Sequence, residues 1–230
     1  MTTIKYDMEF DGGQREVIDI TFDAEALELD LPDPEPLPDW TELPFQQCDN
    51  CPLRAEDRSH CPLAKWLVPI AERFGATPSY EGVILHVTTE ARVVSASTTA
   101  QAALGSLMGL IMPLSGCPKL APLAPMARFH LPLSTHEETI YRAVSMFLLS
   151  QYFAGENGAQ TVSDLSGLQR IYADIQQVNQ GIAARLRSSG AFNELNSIAV
   201  LDLYAQTMPL VIDESLSDIR HLFTGRRAVA

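Results

Sequence analysis

Apolar and polar residues alternate at the start of the chain. Apolar side chains occupy every second position on both sides of an Asp-Gly-Gly segment: Ile4, Tyr6, Met8 and Phe10 before it, and Ile18, Ile20 and Phe22 after it. A period of two places these side chains on one face of each strand, and glycine suits the turn between them. The pattern predicts a β-hairpin within residues 1–30. Its apolar face must pack against the rest of the protein, and its other face is acidic.

Helical spacing dominates the remainder of the chain. Apolar residues recur every three or four positions in six stretches, which predict helices over residues 64–74, 98–114, 137–153, 165–186, 193–212 and 214–223. Ser134 and Glu137 have the spacing of a capping box at the start of the third of these helices. Residues 82–94 are rich in β-branched residues and predict a strand that continues or turns back near residues 88–90. The fold class is therefore α+β: a mostly helical bundle with a small antiparallel sheet that includes the N-terminal hairpin.

Prolines separate the hairpin from the helical part. Five of them fall within residues 31–44, and most are spaced by acids. Prolines at alternate positions disfavour both helix and strand pairing, so this segment predicts an extended strap across the body, with Trp40 as its anchor. A proline-rich partner-binding segment is the alternative, although the acids do not suit it. The organisation is an acidic β-hairpin (1–30), a proline-rich strap (31–44) and a cysteine-containing, mainly helical body (45–230), together one compact domain.

Four cysteines carry the candidate chemistry of this chain. Cys48 and Cys51 form a C-x2-C, nine residues separate Cys51 from Cys61, and 55 separate Cys61 from Cys117. A C-x2-C allows two thiolates to bind one metal ion from a single turn, and two further cysteines would complete a four-thiolate site. Closing the long loop to Cys117 costs little additional entropy. We therefore predict a metal site with Cys48, Cys51, Cys61 and Cys117 as its ligands.

The identity of the metal stays open between zinc and an iron–sulfur cluster. Structural zinc is favoured by the thiolate ligand set, although the repeated C-x2-C of many zinc sites is missing. Proline follows Cys51, Cys61 and Cys117, as it follows a cluster-binding cysteine in bacterial ferredoxins. Buried or redox-active thiols without metal are the remaining interpretation. A closed four-cysteine zinc site has no open position for substrate, so it indicates a structural role.

Several polar residues near the cysteines are candidates for an outer shell around the metal: His60, His130, His136, Glu137 and Arg142. A capping box and acids in a first helical turn explain part of this group without any function. Cys117 with His130 also has the residue types of a thiol enzyme, but the spacing fits no defined motif. Catalytic residues are therefore unknown, and a phosphate-binding glycine loop is missing from the sequence.

The net charge is distributed unevenly. Residues 1–47 carry thirteen acids against two bases, a net charge of −11, out of −13 for the whole chain. An acidic segment of this kind repels a phosphate backbone, so we expect no nucleic-acid partner. The longest apolar run is too short to span a bilayer, and the first residues lack the pattern of a signal peptide. We expect a cytoplasmic protein with no membrane partner, where reduced cysteines favour metal binding over disulfides.

Four segments together resemble an uncharacterised bacterial domain-of-unknown-function family. They are Cys48-Asp-Asn-Cys51-Pro-Leu, His60-Cys61-Pro62, Ser115-Gly116-Cys117-Pro118 and Pro125-Met-Ala-Arg-Phe-His-Leu-Pro132. The resemblance covers most of residues 45–225 and implies a bacterial cytoplasmic protein, but no activity, substrate or cofactor. The sequence thus predicts a metal-stabilised regulatory or interaction module. The acidic hairpin and the strap are its candidate partner surfaces, and a protein partner or a homodimer is expected.

Overall fold

An antiparallel sheet and a set of helices form an α+β fold, as the sequence predicts. The computed structural model describes residues 1–158, 161, 164–189 and 212–224. The strands are β1 (Thr2–Phe10), β2 (Arg15–Phe22), β3 (Gly82–Thr88) and β4 (Val93–Thr99). The helices are α1 (Pro62–Phe74), α2 (Ala100–Leu114), α3 (Ala124–Arg128), α4 (His136–Glu156), α5 (Ser166–Ser189), α6 (Ile212–Ile219) and α7 (His221–Thr224).

The N-terminal hairpin forms one half of the four-stranded sheet. The strand order is β2-β1-β3-β4, and all neighbouring strands are antiparallel. Tyr6 on β1 pairs with Ile18 on β2 and with Val87 on β3. The predicted hairpin is confirmed, and the β-rich segment at residues 82–94 turns back after Thr88 into a separate strand. The alternating pattern gives the sheet one buried face, which carries Ile4, Tyr6, Met8 and Phe10 among others.

Helices α1 and α2 contribute to two hydrophobic clusters. The first cluster joins the buried face of the sheet to one side of α1, including Trp66 and Phe74, and to most of the buried side chains of α2. The second joins the other side of α1, including Leu67, to α4 and α5. Helix α2 is apolar almost all round because it is buried on most of its surface. The sheet and the α4–α5 pair are thus the outer layers around α1 and α2.

Helix α4 begins one residue away from the predicted capping box. The sequence offers two consecutive hydroxyl residues and two consecutive acids, so two registers are available. The structure uses Thr135 and Glu138: Thr135 accepts from the Glu138 N–H at 3.2 Å, and Glu138 accepts from the Thr135 N–H at 2.7 Å. The predicted pair of Ser134 and Glu137 is therefore wrong. Ser134 is hydrogen-bonded to Thr139 instead.

The proline-rich segment after Cys117 contains a short helix that lies outside the six predicted helical stretches. A 3-10 turn at Ala121–Leu123 leads directly into α3, whose second residue is Pro125. Proline is tolerated there because the first turn of a helix needs no internal N–H donor. The predicted helix at 193–212 lies outside the described residues, apart from its last residue, which begins α6. The last predicted helix, at 214–223, falls within α6 and α7.

The proline-rich strap is anchored by its single tryptophan. Trp40 lies in a 3-10 turn, Asp39–Thr41, and is buried in the second cluster with Leu43. Backbone hydrogen bonds also join the strap to the segment before α1, from Leu43 N–H to Ser59 and from Cys61 N–H to Thr41. The division into hairpin, strap and body stays a prediction. Within the described part of the chain, no helix combines the length and apolar character that membrane crossing requires.

Candidate functional site

The four cysteines lie on three separate segments of the helical half of the molecule. Cys48 and Cys51 share a turn, in which the Cys51 N–H donates to the Cys48 carbonyl at 3.0 Å. Cys61 directly precedes α1 and has extended backbone dihedrals. Cys117 follows α2 after Gly116, whose φ of +82° reverses the chain in a conformation that favours glycine. Cys61 and Cys117 are buried, and the other two are half-buried.

These cysteines do not cluster as the sequence predicts. Among the residues that the structure describes, no group of three or more His, Cys, Asp or Glu side chains is arranged to hold a metal ion. All four thiols are free. The predicted four-cysteine metal site is therefore not seen. What the structure supports is four free cysteines, of which Cys61 and Cys117 are buried in the second hydrophobic cluster.

The thiols are nevertheless close enough to influence each other electrostatically. Burial raises the pKa of Cys48 to about 12, and the three other thiols contribute to the rise. Burial also raises the pKa of Cys117 to about 11, with smaller contributions from Cys61 and Cys51. Each thiol would resist becoming a thiolate while its neighbours carry negative charge. A nearby cation would reverse this preference.

Helix α5 packs directly against Cys48. The Cys48 thiol points to the Val178 carbonyl, with an S–O distance of 3.9 Å. A Cβ atom at Gly181 would lie only 2.5 Å from the Cys48 sulfur. Glycine destabilises the middle of a helix, so its presence there needs a reason. The close contact with Cys48 provides one, because any larger residue at position 181 would clash with the sulfur. The sequence contains Gly181 because α5 and the cysteine turn meet here.

A buried arginine on α5 lies beside the thiols. Arg185 is 1% exposed and donates to the backbone carbonyls of Trp40 and Glu42 at 2.6 Å and of Leu43 at 3.3 Å. Burial lowers its pKa, and the nearby Cys61, Cys48 and Cys51 raise it. Its Nε has no hydrogen-bond partner, and no carboxylate of the described residues lies within ion-pair distance. Burying a positive charge that is bonded only to neutral carbonyls costs free energy, and nearby thiolates would offset that cost.

The residue types of this region are those that bind a soft metal ion, but among the described residues they are not arranged to hold one. Four thiols are the ligand set of structural zinc sites and of iron–sulfur clusters. The charge also fits, because the guanidinium of Arg185 would offset part of the negative charge of four thiolates. The residues that would hold such a group are Cys48, Cys51, Cys61 and Cys117.

His60 and Glu137 do not join the cysteines. The His60 ring is hydrogen-bonded to the Thr41 hydroxyl at 2.8 Å, so it fastens the strap to the segment before α1. Glu137 is exposed in the first turn of α4, where the helix dipole favours an acid. His136 begins α4 and lies at the edge of a cavity. None of the three is needed as a metal ligand to explain its position.

His130 belongs to a buried polar network on the sheet side of α2. Its Nε2 is hydrogen-bonded to the Tyr6 hydroxyl at 2.5 Å, and Tyr6 is hydrogen-bonded to Ser106 at 3.0 Å. Ser106 also accepts from the Leu133 N–H. Burial and the positive charge of Arg142 lower the pKa of His130 to about 4. This ring is therefore neutral near pH 7, and it ties the segment after α3 to β1 and α2.

Arg142 holds the same segment from the other side. Its Nη2 donates to the carbonyls of Met126 and Phe129, both at 2.8 Å. Burial lowers its pKa. Arg142 and His130 both line a cavity of about 650 Å³ between α2, α4 and α5, together with Ser106, Tyr172 and Asn179. The predicted outer-shell residues thus fall into two places, with His130, His136 and Arg142 at this cavity.

Four residues of α5 that sequence reasoning missed are prominent in the structure: Tyr172, Asn179, Gly181 and Arg185. For Asn179 and Arg185, the spacing along the apolar stripe of α5 gives a signal. Arg185 follows Val178 by seven positions and Asn179 follows Tyr172 by seven, so each pair shares a helix face. A polar residue on a buried helical stripe requires a specific partner. The partner itself comes from distant parts of the chain, and periodicity cannot identify it.

Comparison with known proteins gives a family but no activity. No curated protein and no solved structure matches this sequence. A family model matches almost the whole chain, from residue 4 to residue 224. The match includes all four cysteines, the strap and the segment that carries His130, and so it confirms the resemblance carried by these motifs. The chain belongs to the family described as a domain of unknown function, DUF6901.

Proposed function

We propose that this protein is a metal-stabilised regulatory or interaction module of the bacterial cytoplasm. Its metal ligands would be the thiolates of Cys48, Cys51, Cys61 and Cys117, and zinc is the favoured metal. The observation that carries the proposal is the buried guanidinium of Arg185, which lies beside three of these thiols and has no carboxylate partner among the described residues.

One bound metal ion would remove two unfavourable features of this region: a buried cation without an anion, and buried thiols that resist ionisation. Arg185 is buried without an anionic partner among the described residues. Without a metal ion, burial raises the pKa of Cys48 and Cys117, so these thiols are poor acids. A divalent cation favours the thiolate form of its ligands outright. The resulting group carries net negative charge, which is the partner that a buried guanidinium requires. Zinc has no redox chemistry, so its role would be to hold the three cysteine segments together.

The first test is elemental analysis and a visible spectrum of protein purified without oxygen. We expect about one zinc per chain and no colour. Iron with sulfide and a brown colour would favour the alternative, in which the protein is an iron–sulfur or redox protein that uses the same cysteines. Protein without metal, which also takes up none on addition of zinc, would overturn the proposal.

Substitutions then test the ligand set. We expect Cys61→Ser and Cys117→Ser to lose most of the bound zinc and to lower the midpoint of thermal unfolding. The matched control is His60→Gln, next to Cys61, which should keep its zinc because His60 is hydrogen-bonded to Thr41. Loss of zinc from His60→Gln, with retention in one of the cysteine variants, would show that His60 is a ligand in its place.

A thiol enzyme that uses Cys117 and His130 is less well supported. The pKa of Cys117 is raised to about 11, whereas reactive cysteines have a lowered pKa. The ring of His130 is hydrogen-bonded to Tyr6. The protein partner or homodimer expected from the sequence remains part of the proposal, and light scattering of the purified chain would show whether it self-associates.

A further inference from the structure

Strand β4 is an edge of the sheet that the described chain leaves uncovered. The strand order β2-β1-β3-β4 gives it one neighbour, β3. Every residue of β4 is exposed or half-buried, and Val93 is 60% exposed. An edge strand presents a row of unpaired N–H and C=O groups, to which another strand can hydrogen-bond.

The phase of the ladder shows which backbone groups of β4 are unpaired. At one end the Thr89 N–H donates to the Arg92 carbonyl, and at the other the Ala100 N–H donates to the Glu81 carbonyl. Bonded and non-bonded pairs alternate in an antiparallel ladder, and the register makes both of these bonds part of the same phase. The residues whose N–H and C=O groups point away from β3 are therefore Val93, Ser95 and Ser97. None of these backbone groups is hydrogen-bonded within the part of the chain that the structure describes.

The opposite edge of the sheet is protected against pairing, whereas β4 is not. Strand β2 carries three charged residues, and a bridge between Phe22 and Leu29 covers its end. Arg73 also donates to the carbonyl of Val17 on β2 at 3.3 Å. The seven residues of β4 include no charged residue and no proline. Charges and prolines are features that prevent the pairing of natural edge strands, so their absence marks β4 as the edge that can pair.

The sequence of β4 fits a second copy of itself. In an antiparallel pair with a two-fold axis at Ala96, Ser95 of one chain lies opposite Ser97 of the other. Both residues point their backbone groups outward, so each N–H faces a carbonyl of the partner strand. Hydroxyl side chains opposite each other stabilise a strand pair, and like charges opposite each other are avoided here.

Two exposed apolar side chains at the ends of β4 would enlarge the contact. Tyr80 is 78% exposed and lies at the Thr99 end of β4, because the neighbouring Ser79 carbonyl accepts from the Gln101 N–H. Val93 is at the other end. The two-fold axis places Val93 of one copy at the end of β4 where Tyr80 of the other copy lies.

The charge distribution favours a second copy at this edge. The chain carries a net charge of −13, of which −11 lies in residues 1–47, so two copies repel each other through their hairpins. Pairing through β4 places the two hairpins at opposite ends of a joint sheet. The two β1 strands would then be five strand spacings apart, about 24 Å. This separation exceeds the Debye length of about 8 Å at physiological salt, so the repulsion is largely screened.

We propose that two copies of this chain pair through β4, antiparallel and with a two-fold axis at Ala96, into one continuous sheet. The proposal rests on the homodimer part of the proposed function and names its surface. It does not depend on the metal, since β4 contains no cysteine.

The first test is sedimentation velocity of the full chain at increasing concentration, with and without a chelator. We expect a reversible dimer in both conditions, and slower hydrogen exchange of the Ser95 and Ser97 amides as the dimer forms. A chain that stays monomeric up to about 1 mM, the weak end of specific affinities, would overturn the proposal. A dimer that leaves the exchange of both amides unchanged uses another surface and would overturn it as well. Elemental analysis tests the metal separately, so either idea can fail alone.

Ser97→Pro removes an outward N–H and leaves the bonds to β3 in place. Proline is tolerated in an edge strand where its missing N–H would face solvent, so the monomer should fold. We expect dimerisation to weaken at least tenfold, the loss typical of a missing hydrogen bond together with a clash at the partner strand. The matched control, Ser97→Thr, keeps the N–H and should dimerise like the natural protein. Equal dimerisation of Ser97→Pro would contradict the assignment.

A charge-reversal pair identifies the occupant as a second copy. One variant carries Ser95→Glu with Ser97→Glu, and the other carries Ser95→Lys with Ser97→Lys. Like charges would face each other in either homodimer, so each variant alone should be monomeric. Mixing the two should restore a dimer of one copy of each, which also shows that both variants are folded. Variants that dimerise alone as tightly as the natural protein, or a mixture that stays monomeric, would refute pairing in this register.

Discussion

At the scale of single residues, burial decides which groups are charged. His130 and Arg142 face the same cavity, but burial lowers the pKa of both and keeps His130 neutral at pH 7. The Tyr6 hydroxyl from β1 and the Arg142 guanidinium from α4 are the polar neighbours of the His130 ring. A neutral imidazole there avoids a second cation next to Arg142. This arrangement becomes unfavourable for the folded protein when the pH falls.

The lowered pKa of His130, about 4, predicts a pH dependence of stability. The unfolded chain protonates His130 below about pH 6.5, whereas the folded protein keeps it neutral until about pH 4. The free energy of unfolding should therefore fall between pH 6.5 and pH 4, by up to about 1.4 kcal/mol per pH unit from this group. Urea unfolding at several pH values, compared between the natural protein and His130→Gln, measures the contribution.

The comparison isolates His130 because other titrating groups are common to both proteins. His130→Gln should show a flatter dependence on pH than the natural protein in this pH window. Parallel curves for the natural protein and His130→Gln would mean that His130 has an ordinary pKa in the folded state.

At the scale of elements, two glycines seven positions apart, Gly109 and Gly116, have opposite roles. Gly109 lies on an exposed part of α2, where glycine lowers helix stability and an added Cβ meets nothing. Gly116 has a φ of +82°, a left-handed conformation that alanine adopts only with strain. Space is not the obstacle at Gly116, since the nearest atoms to an added Cβ are 3.8 Å away.

The same substitution at these two glycines should change stability in opposite directions. Gly109→Ala should raise the free energy of unfolding by about 0.5–1 kcal/mol, because alanine favours the helix. Gly116→Ala should lower it by about 1 kcal/mol, because alanine is strained at positive φ. Chemical denaturation of both variants at one pH checks the pair. Two changes of the same sign would show that φ at residue 116 or the exposure of residue 109 differs from the structure.

Regular periodicity explains which elements could be predicted from the sequence. The strict alternation around Tyr6 and the apolar stripe of α5 predict a strand and a helix because one face of each is buried. The start of α4 was off by one residue, since Ser134 and Thr135 are equivalent local caps. Helix α3 was missed because its one proline, Pro125, lies in the first turn, where proline is tolerated.

The candidate site was less predictable than the fold because its contacts join distant segments. Arg185 reaches carbonyls more than 140 residues away, and the approach of Gly181 to Cys48 depends on the packing of α5. The cysteine spacing predicted a four-thiolate site, but spacing could not show that the thiols of the described residues do not form a metal-binding arrangement. The described lining of the cavity comes from β4, α2, α3, α4 and α5, so it has no local motif.

At the scale of the whole molecule, the N-terminal hairpin is part of the core. Strand β1 is central in the sheet, between β2 and β3, and its Tyr6 side chain is fully buried. The buried face of the hairpin covers α1 and α2, while its charged residues face outward. The boundary predicted at residue 30 follows the change in charge along the chain. It does not follow the hydrophobic core, because the apolar face of the hairpin packs in the same cluster as α1 and α2.

Deletion of residues 1–30 should consequently abolish cooperative unfolding. The deletion uncovers β3 and the sheet-facing sides of α1 and α2, and each buried apolar side chain removed costs about 1.5–3 kcal/mol. Ile4, Tyr6, Met8, Phe10, Ile20 and Phe22 are all lost. Together they contribute about 9–18 kcal/mol, which is as large as the whole net stability of about 5–15 kcal/mol of a typical domain. Loss of the near-ultraviolet circular dichroism signal and binding of a hydrophobic dye would report the expected state.

A charge-only variant distinguishes the core role of the hairpin from its acidity. Asp19, Glu25 and Glu28 are exposed, and their replacement by Asn, Gln and Gln removes three negative charges without touching the buried face. Isolated surface changes of this kind usually shift stability by less than about 0.5 kcal/mol each, so this variant should unfold cooperatively. If instead the deleted chain folds and the charge variant does not, the hairpin is an appendage whose charges act on the body. Because β1 pairs on both sides and its Tyr6 also holds His130, the structure favours the first outcome.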